Sequence, residues 1–334
     1  MTISLGIIAL NEEQYLPAIL DDVLAQTFPL SQIDFLLIDS LSSDRTKELM
    51  DSFKDRHGGK FRNVRVLKNA GRWQADGWNV FIDNAVGDIL IKVDAHAHIP
   101  NDFIERLVAK MEDGHFDVLG GKRPVILKES TKWAEILLEA ENSLFGSGIA
   151  VFRTSDKPRY VKSVFHGAYR KEVFQKAGKF NECLRRTEDN EIHWRIRKCG
   201  FQIRYEPSIV SYQYVRPTLR KMLKQKFSNG YWIGRTAWIC PRCLSLYHFA
   251  PFAFVFMLIA SVLFAILSVG TVLLSALCLL YGCFAVVNTF LSVLKTKKFG
   301  NILLLFLFPL LHISYGIGTL LGLLPLHIRK GHCS

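Results

Sequence analysis

Apolar residues along the first 206 positions come in short runs separated by segments of helical spacing. Residues 3–10 are nearly continuous apolar chain, the pattern of a strand buried on both faces. Residues 12–26 then place apolar side chains three and four apart, which predicts a helix. The alternation continues with a strand at 34–38, a helix at 44–57, a strand at 64–67, a helix at 76–85, a strand at 89–93, a helix at 101–112 and a strand at 117–120. Strands and helices in this order predict an α/β domain with a mostly parallel sheet covered on both faces. Its length is enough to bury one substantial core.

Past residue 248 the pattern changes. The stretches 249–267, 272–294 and 302–324 contain no Asp, Glu, Lys or Arg. Each approaches the ~20 apolar residues that cross a bilayer. The short uncharged connection at 268–271 predicts an outer hairpin turn, and Lys295, Lys297 and Lys298 mark the inner side. The third stretch holds Pro309, His312, Tyr315, Gly316 and Gly318 and is followed by Arg329 and Lys330. Three full passes are expected, although they leave those two bases outside, against the positive-inside tendency. A kinked or re-entrant third segment is the alternative.

Ahead of these stretches, Arg216, Arg220, Lys221, Lys224 and Lys226 mix with Leu219, Leu223 and Phe227, and Tyr231, Trp232 and Trp238 follow. This mixture predicts amphipathic helices on the inner leaflet. The expected division is therefore residues 1–215 as the α/β domain, 216–248 as interfacial helices, 249–324 as the membrane region and 325–334 as a basic tail.

Charge sharpens this picture. The chain has 42 Lys and Arg against 30 Asp and Glu, a net charge of +12. The last acidic residue is Glu206, and all of the excess, twelve bases, lies beyond it. Bases flanking apolar segments point to anionic lipid as the partner and away from nucleic acid. The start, Met1–Leu10, lacks a basic region before its apolar run and leads directly into Asn11-Glu12-Glu13. The first domain is therefore expected to be cytoplasmic and the protein to be a multi-pass protein of the cell membrane. Cys240 and Cys243 make a single pair with no second pair to complete a zinc site.

Candidate chemistry concentrates where strands end. Asp94-Ala95-His96 follows the run 89–93, and residues two apart on an extended chain point to one side. A carboxylate and an imidazole at the carboxyl edge of an open α/β sheet can hold Mg²⁺ or Mn²⁺ together with a diphosphate. An Asp closing a strand can equally cap its loop. Asp39, ending the second strand, has the same two readings: acceptor for a base N–H, or cap. Asp44 is expected to cap the next helix. After the third strand, Gly71 permits a tight backbone and Arg72 can meet a phosphate. The basic loop 153–162 can meet a lipid diphosphate or simply face solvent.

Taken together these residues resemble the family 2 glycosyltransferases with the nucleotide-diphospho-sugar transferase (GT-A) fold. The resemblance covers residues 1 to about 245. It rests on Ile7-Ile8-Ala9-Leu10-Asn11-Glu12, Ile38-Asp39 with Ser42, Asp44 and Thr46, Asn69-Ala70-Gly71, Gly87-Asp88, Val93-Asp94-Ala95-His96, Gly167-Ala168-Tyr169-Arg170 and Thr187-Glu188-Asp189-Asn190-Glu191 with Arg195. Asp-Ala-His before Pro100, with His312-x-x-Tyr315-Gly316-x-Gly318, is similar to membrane-bound transferases of succinoglycan-type exopolysaccharide assembly.

The resemblance implies roles. Ala9, Glu12 and Asp39 would hold the nucleoside, Asp88 and Asp94 would line the sugar-phosphate side, and Asp94 and His96 would contact Mn²⁺ or Mg²⁺. Asp189 would be the catalytic base, with Glu188 as the competitor, and Gly167, Glu188 and Arg195 would lie on the acceptor side. His96 stands where the family usually has a second acid, and Ser40-Leu41 replaces the usual small Asp/Gly pair. The implied activity is inverting transfer of one sugar from a nucleotide sugar, taken as UDP-linked, to a polyprenyl-diphosphate-linked saccharide. A polyprenyl-monophosphate sugar synthase and a silent nucleotide-binding membrane scaffold are the alternatives. The processive Gln-x-x-Arg-Trp motif is absent, with only Gln225-Lys226-Phe227-Ser228-Asn229 at its place, which favours single addition.

Overall fold

A computed structural model describes residues 2–143, 145–146, 155–216, 218–266 and 271–325. The expected outer turn at 268–270, Arg153 of the basic loop, and Arg329 and Lys330 of the tail lie outside the described residues. The chain divides into two compact units, residues 1–124 with 151–214, and residues 125–150 with 215–334. The expected domain 1–215 is thus not one continuous stretch, because residues 125–150 group with the second unit.

In the first unit, β1 (Ile3–Ala9), β2 (Ile33–Asp39), β3 (Asn63–Lys68) and β4 (Ile89–Asp94) alternate with α1 (Leu16–Leu24), α2 (Thr46–His57) and α3 (Gln74–Asn84). After β4 come β5 (Ala97–His98), α4 (Phe103–Gly114) and β6 (Val118–Lys122). β7 (Val125–Ile126) and α5 (Lys132–Asn142) belong to the second unit. The first unit resumes with β8 (Arg159–Tyr160), β9 (Gly167–Arg170), α6 (Lys171–Ala177), α7 (Glu188–Lys198), β10 (Ile203–Val210) and β11 (Tyr212–Tyr214).

Eight strands form one sheet in the order β3-β2-β1-β4-β9-β6-β10-β8. The β3-β2-β1-β4 half is parallel as predicted. β9 runs antiparallel between β4 and β6. This four-residue strand lies beyond the last strand predicted and carries no long apolar run. The first helix starts at Leu16 rather than at residue 12, and the N–H groups of Asn11, Glu12 and Glu13 donate to Ser42, Thr46 and Asp44 across the β2–α2 connection.

Strand alternation sorts the core. Ile3, Leu5 and Ile7 of β1, Phe35 and Leu37 of β2, and Ile89, Ile91 and Val93 of β4 pack with α1, α2 and α4. Leu36, Ile38 and Leu90 face the other way, onto Trp78 and Phe81 of α3, Val173 and Phe174 of α6, and Ile192 and Ile196 of α7. On β4 the second set continues through Lys92 to Asp94, and both are buried.

The second unit is helical: α5, then α8 (Leu219–Ile239), α9 (Ala250–Ile266), α10 (Thr271–Thr296) and α11 (Leu304–Leu323). Three segments, Leu246–Ile266, Thr271–Thr296 and Phe299–Leu323, are long and apolar enough to cross a membrane. α11 is one continuous helix that contains Pro309. Gly318 and Gly322 face α8, whereas Gly316 faces Pro251 and Val255 of α9. A Cβ on Gly318 would stand 2.2 Å from the Phe227 carbonyl oxygen, and one on Gly322 would stand 2.1 Å from that of Tyr231. Reciprocally, a Cβ on Gly230 would meet the Tyr315 carbonyl oxygen at 2.0 Å. Small residues four apart on both helices let the backbones touch, as in tightly packed membrane helices. Lys226, read as an inner-leaflet base, is instead buried in an ion pair with Glu141 at 2.8 Å. Arg220, Lys221 and Lys224 remain exposed.

Candidate active site

Parallel strands deliver their carboxyl ends to one edge. In register, Ala9 lies beside Asp39, Asp39 beside Lys68, and Ile8 beside Asp94. The loops on this edge interlock. Ser40 N–H donates to the Ala9 carbonyl at 2.9 Å and Asn69 N–H to the Asp39 carbonyl at 2.8 Å. Glu12 N–H donates to Thr46 Oγ1 at 2.8 Å, and Asp44 accepts from Glu13 N–H at 3.1 Å and from Thr46 N–H at 3.0 Å. Asp44 thus bonds the first N–H of α2, although Arg45 and not Asp44 holds the cap position. Asn11, Leu41 and Arg72 adopt left-handed φ values of 57°, 61° and 66° in three of these loops. Non-glycine residues held this way cost of order 1–3 kcal/mol each and cluster at functional sites. Asp39 Oδ1 accepts from Ser42 N–H at 3.2 Å, so that oxygen serves as a cap. Arg72 is exposed on the same edge.

The Asp94 and His96 side chains are held by partners from distant segments. His96 Nδ1 lies 3.1 Å from Glu12 Oε1, so one oxygen of the Glu12 carboxylate meets the imidazole. His96 Nε2 is 3.5 Å from Gln213 Nε2 of β11, and Gln213 Oε1 accepts from Arg123. Asp94 faces the buried ring of His166, whose Nε2 is 3.6 Å from Asp94 Oδ2 and whose Nδ1 is 2.8 Å from Ser211 Oγ. Burial pushes the His166 imidazole down and keeps it neutral, although Asp94 pulls the other way. Burial opposes the charge on Asp94, yet the His166 contact and the His96 and Lys92 charges hold it well below the usual carboxylate range.

Asp94 and His96 fit a divalent cation of one particular kind. Among the described residues no group of three or more His, Cys, Asp or Glu side chains gathers into a metal cage. One ionised carboxylate and one imidazole suit an ion that completes its shell with substrate phosphates and water. Glu12 at Nδ1 leaves Nε2 as the atom that would bind metal, the usual arrangement of a ligating histidine and its orienting carboxylate.

Asp189 is the second residue of α7, where the amino-terminal end of the helix favours negative charge. It pairs through Oδ1 with Lys92, whose side chain is 4% exposed against 22% for Asp189. Burial alone would push the Lys92 ammonium down, but Asp189, Tyr169 and Asp94 together raise it above its ordinary value, so it stays charged. Burial and then the Asp189 charge push Glu188 up to about 8, which makes it a neutral acid at neutral pH. Glu188 is also closed to solvent. Of the two candidate bases, only Asp189 is open to an acceptor.

Other expected site residues lie elsewhere. Asp88 precedes β4, a full strand away from Asp94, and accepts from Thr2 N–H at 3.1 Å on the opposite edge of the sheet. It cannot line a site at the carboxyl ends. Arg195 forms a double hydrogen bond to Glu191 at 2.6 and 2.8 Å and donates to the Lys179 carbonyl at 2.6 Å. It fastens α7 to the chain after α6 and is not presented to an acceptor. Gly167 lies inside the sheet, beside Lys92 on one side and Gly120 on the other. Ala9 is buried and contributes its backbone to the loop bonds. Lys92, Ser211 and Gln213 were not predicted as contributors. Lys92 did leave a signal, a lysine in the middle of an apolar strand; the other two did not.

Residues 4–178 match the family profile described as Glycosyl transferase family 2. The chain is 27% identical over 323 residues to a dolichyl N-acetyl-alpha-D-glucosaminyl phosphate 3-beta-D-2,3-diacetamido-2,3-dideoxy-beta-D-glucuronosyltransferase of Methanococcus voltae, covering 94% of this chain and 95% of that protein. It is 28% identical over 227 residues to a succinoglycan biosynthesis protein of Rhizobium meliloti, covering 66% of each. A mannosyltransferase of Pyrobaculum calidifontis, solved with GDP-Man and Mn²⁺, superposes with a TM-score of 0.64 at 17% identity over 95% of this chain and 86% of that one. That likeness carries the fold alone, and it agrees with the mixed sheet and following helices described above. A sheet edge with its acidic residues in place and a profile match over more than half of the chain lead to one conclusion: this protein belongs to glycosyl transferase family 2, with the GT-A fold.

Proposed function

We propose that the chain transfers one sugar from a nucleoside-diphosphate sugar, taken as UDP-linked, to a polyprenyl-diphosphate-linked saccharide, with inversion at the anomeric carbon. The observation that carries this reading is Asp189, ion-paired yet open to solvent, in a unit that also sets Asp94 and His96 at the carboxyl edge. Three helices apolar enough to cross a membrane follow in the same chain. The names of the two relatives, one acting on a dolichyl-linked sugar and one in succinoglycan biosynthesis, support a lipid-linked acceptor.

Asp94 and His96 would hold a divalent cation, which when bound neutralises charge building on the departing diphosphate, a contribution of several kcal/mol in principle. Glu12 keeps the His96 ring turned for this. Asp189 takes the proton of the acceptor hydroxyl as that oxygen attacks the anomeric carbon opposite the diphosphate. General-base assistance of this kind typically contributes roughly 10²–10⁴-fold. Glu188, neutral and closed, adds no competing charge. The first unit faces the cytoplasm in this reading, and α8 meets the inner leaflet.

The test is a panel of nucleotide sugars with membranes or defined lipid-linked saccharides, read as nucleoside diphosphate release and as the mass of the extracted lipid product. A product heavier by one sugar supports the reading, and a sugar joined directly to polyprenyl monophosphate would replace it. Charge reversal of Arg220, Lys221 and Lys224 together should raise the KM for the lipid acceptor at least about tenfold in anionic vesicles. Each such base near an anionic surface is worth about 1 kcal/mol. The donor KM should stay unchanged. Equal acceptor kinetics in the triple variant would remove these bases from acceptor capture.

A further inference from the structure

We infer that Lys92 is a positioning residue for the transfer step: it clamps Asp189 through Oδ1 and leaves Oδ2 turned to the acceptor hydroxyl. This rests on the reading of Asp189 as the base. The geometry begins with the strand. Lys92 sits in the interior of β4, and its partners in register are Gly6 on β1 and Gly167 on β9. Directly opposite residues in a sheet point to the same face. The two positions paired with Lys92 therefore carry no side chain of their own; the Tyr169 ring of β9 lies over Gly167 and the Phe81 ring over Gly6.

The ammonium lies 5.0 Å from the ring centroid of Trp78 and 5.4 Å from that of Phe180, so aromatic faces line its path. It ends on Asp189, 97 residues away in sequence. Burying an ammonium carries a desolvation penalty of several kcal/mol, and an apolar pair of similar volume would usually serve stability as well or better. A lysine retained here is explained by what it does to its partner. Asp189 is the solvent-facing member of the pair, and Lys92 is its anchor.

The step itself balances without Lys92 changing state. The acceptor oxygen forms its bond to the anomeric carbon as the bond from that carbon to the diphosphate oxygen breaks. The hydroxyl proton passes to the Asp189 carboxylate, the electron pair leaves with the diphosphate, and Lys92 keeps its proton. Its function is to stop the carboxylate from rotating and to keep it apart from Asp94 and Glu188.

The test compares Lys92→Met, Lys92→Arg, Asp189→Asn and the double variant Lys92→Met/Asp189→Asn in the full-length protein. Turnover, donor KM and calorimetric donor affinity are measured for each. Lys92→Met should lower kcat at least about a hundredfold, the scale of general-base assistance, with donor affinity within about threefold. Lys92→Arg should recover at least about a tenth of wild-type kcat by restoring the charged contact. In the Asp189→Asn background Lys92→Met should cost nothing further, because residues that act as a unit are not additive. Should Lys92→Met fail to fold, Lys92→Gln carries the same expectation, and the double variant, with no unpaired charge, carries the additivity test. Near-normal kcat in Lys92→Met beside a silent Asp189→Asn would overturn the role of Lys92 alone, as would multiplying losses or a loss confined to donor KM. Normal turnover in Asp189→Asn would overturn the base reading and this inference together.

Discussion

Replacing Asp189 with Asn is expected to cut turnover at least about a hundredfold while nucleotide-sugar binding stays close to wild type. Asn has the size of Asp and its carbonyl oxygen can still accept the hydrogen bond that Lys92 gives to Oδ1. The clamp therefore survives and the basicity does not. Asp189 lies at the start of α7 with its side chain partly exposed, so the substitution leaves no closed void. Glu188 cannot take over, because burial holds its proton on and shields it from the acceptor. The experiment is steady-state release of nucleoside diphosphate with calorimetric donor affinity on the same preparation. Turnover within a few fold of wild type would reject Asp189 as the base.

Removal of divalent metal is the second large effect, and Asp94→Asn should reproduce it. Exhaustive EDTA should abolish transfer, and Mn²⁺ should restore it at least as well as Mg²⁺, since an imidazole ligand suits the softer ion. The charge on Asp94 is what the site invests in: buried, it is nevertheless held ionised by its surroundings. Asn at 94 keeps the shape and removes that charge, so Mn²⁺ affinity read by electron paramagnetic resonance should fall at least about tenfold, each 1.4 kcal/mol being one decade. Turnover should fall about a hundredfold or more, in line with the several kcal/mol such an ion supplies. Full activity after chelation, or unaltered Mn²⁺ binding in Asp94→Asn, would dismiss this pair as the metal site.

Lys92 shows where pattern reading stops. It interrupts an otherwise apolar run, and treating 89–93 as uniformly apolar passes over the one residue of β4 that reaches Asp189. Asp88 shows the converse error. A motif places it six residues from Asp94, but six residues of extended chain separate the two ends of a sheet, and only one end binds. Glu12 shows a third limit: the residue that meets its carboxylate, His96, arrives from 84 residues away. Arg195 belongs to a helix that carries a site residue, yet it faces the other way, onto Glu191.

Local periodicity was sufficient for the order of strands and helices in the first 122 residues apart from the two-residue β5, for the three apolar helices near the end, and for the placement of Asp39 and Asp94 where parallel strands finish. Those features depend on side chains a few residues apart, which the linear pattern reports directly. The tertiary structure decided the rest: the antiparallel insertion of β9, the grouping of residues 125–150 with the later helices, the contact of α8 with Gly318 and Gly322 of α11, and the pairs Glu12–His96, His166–Asp94 and Lys92–Asp189. Each of these joins segments remote in sequence. Which of them meet depends on strand order and helix facing, and both are settled by burying the whole apolar surface at once rather than by any short stretch of chain.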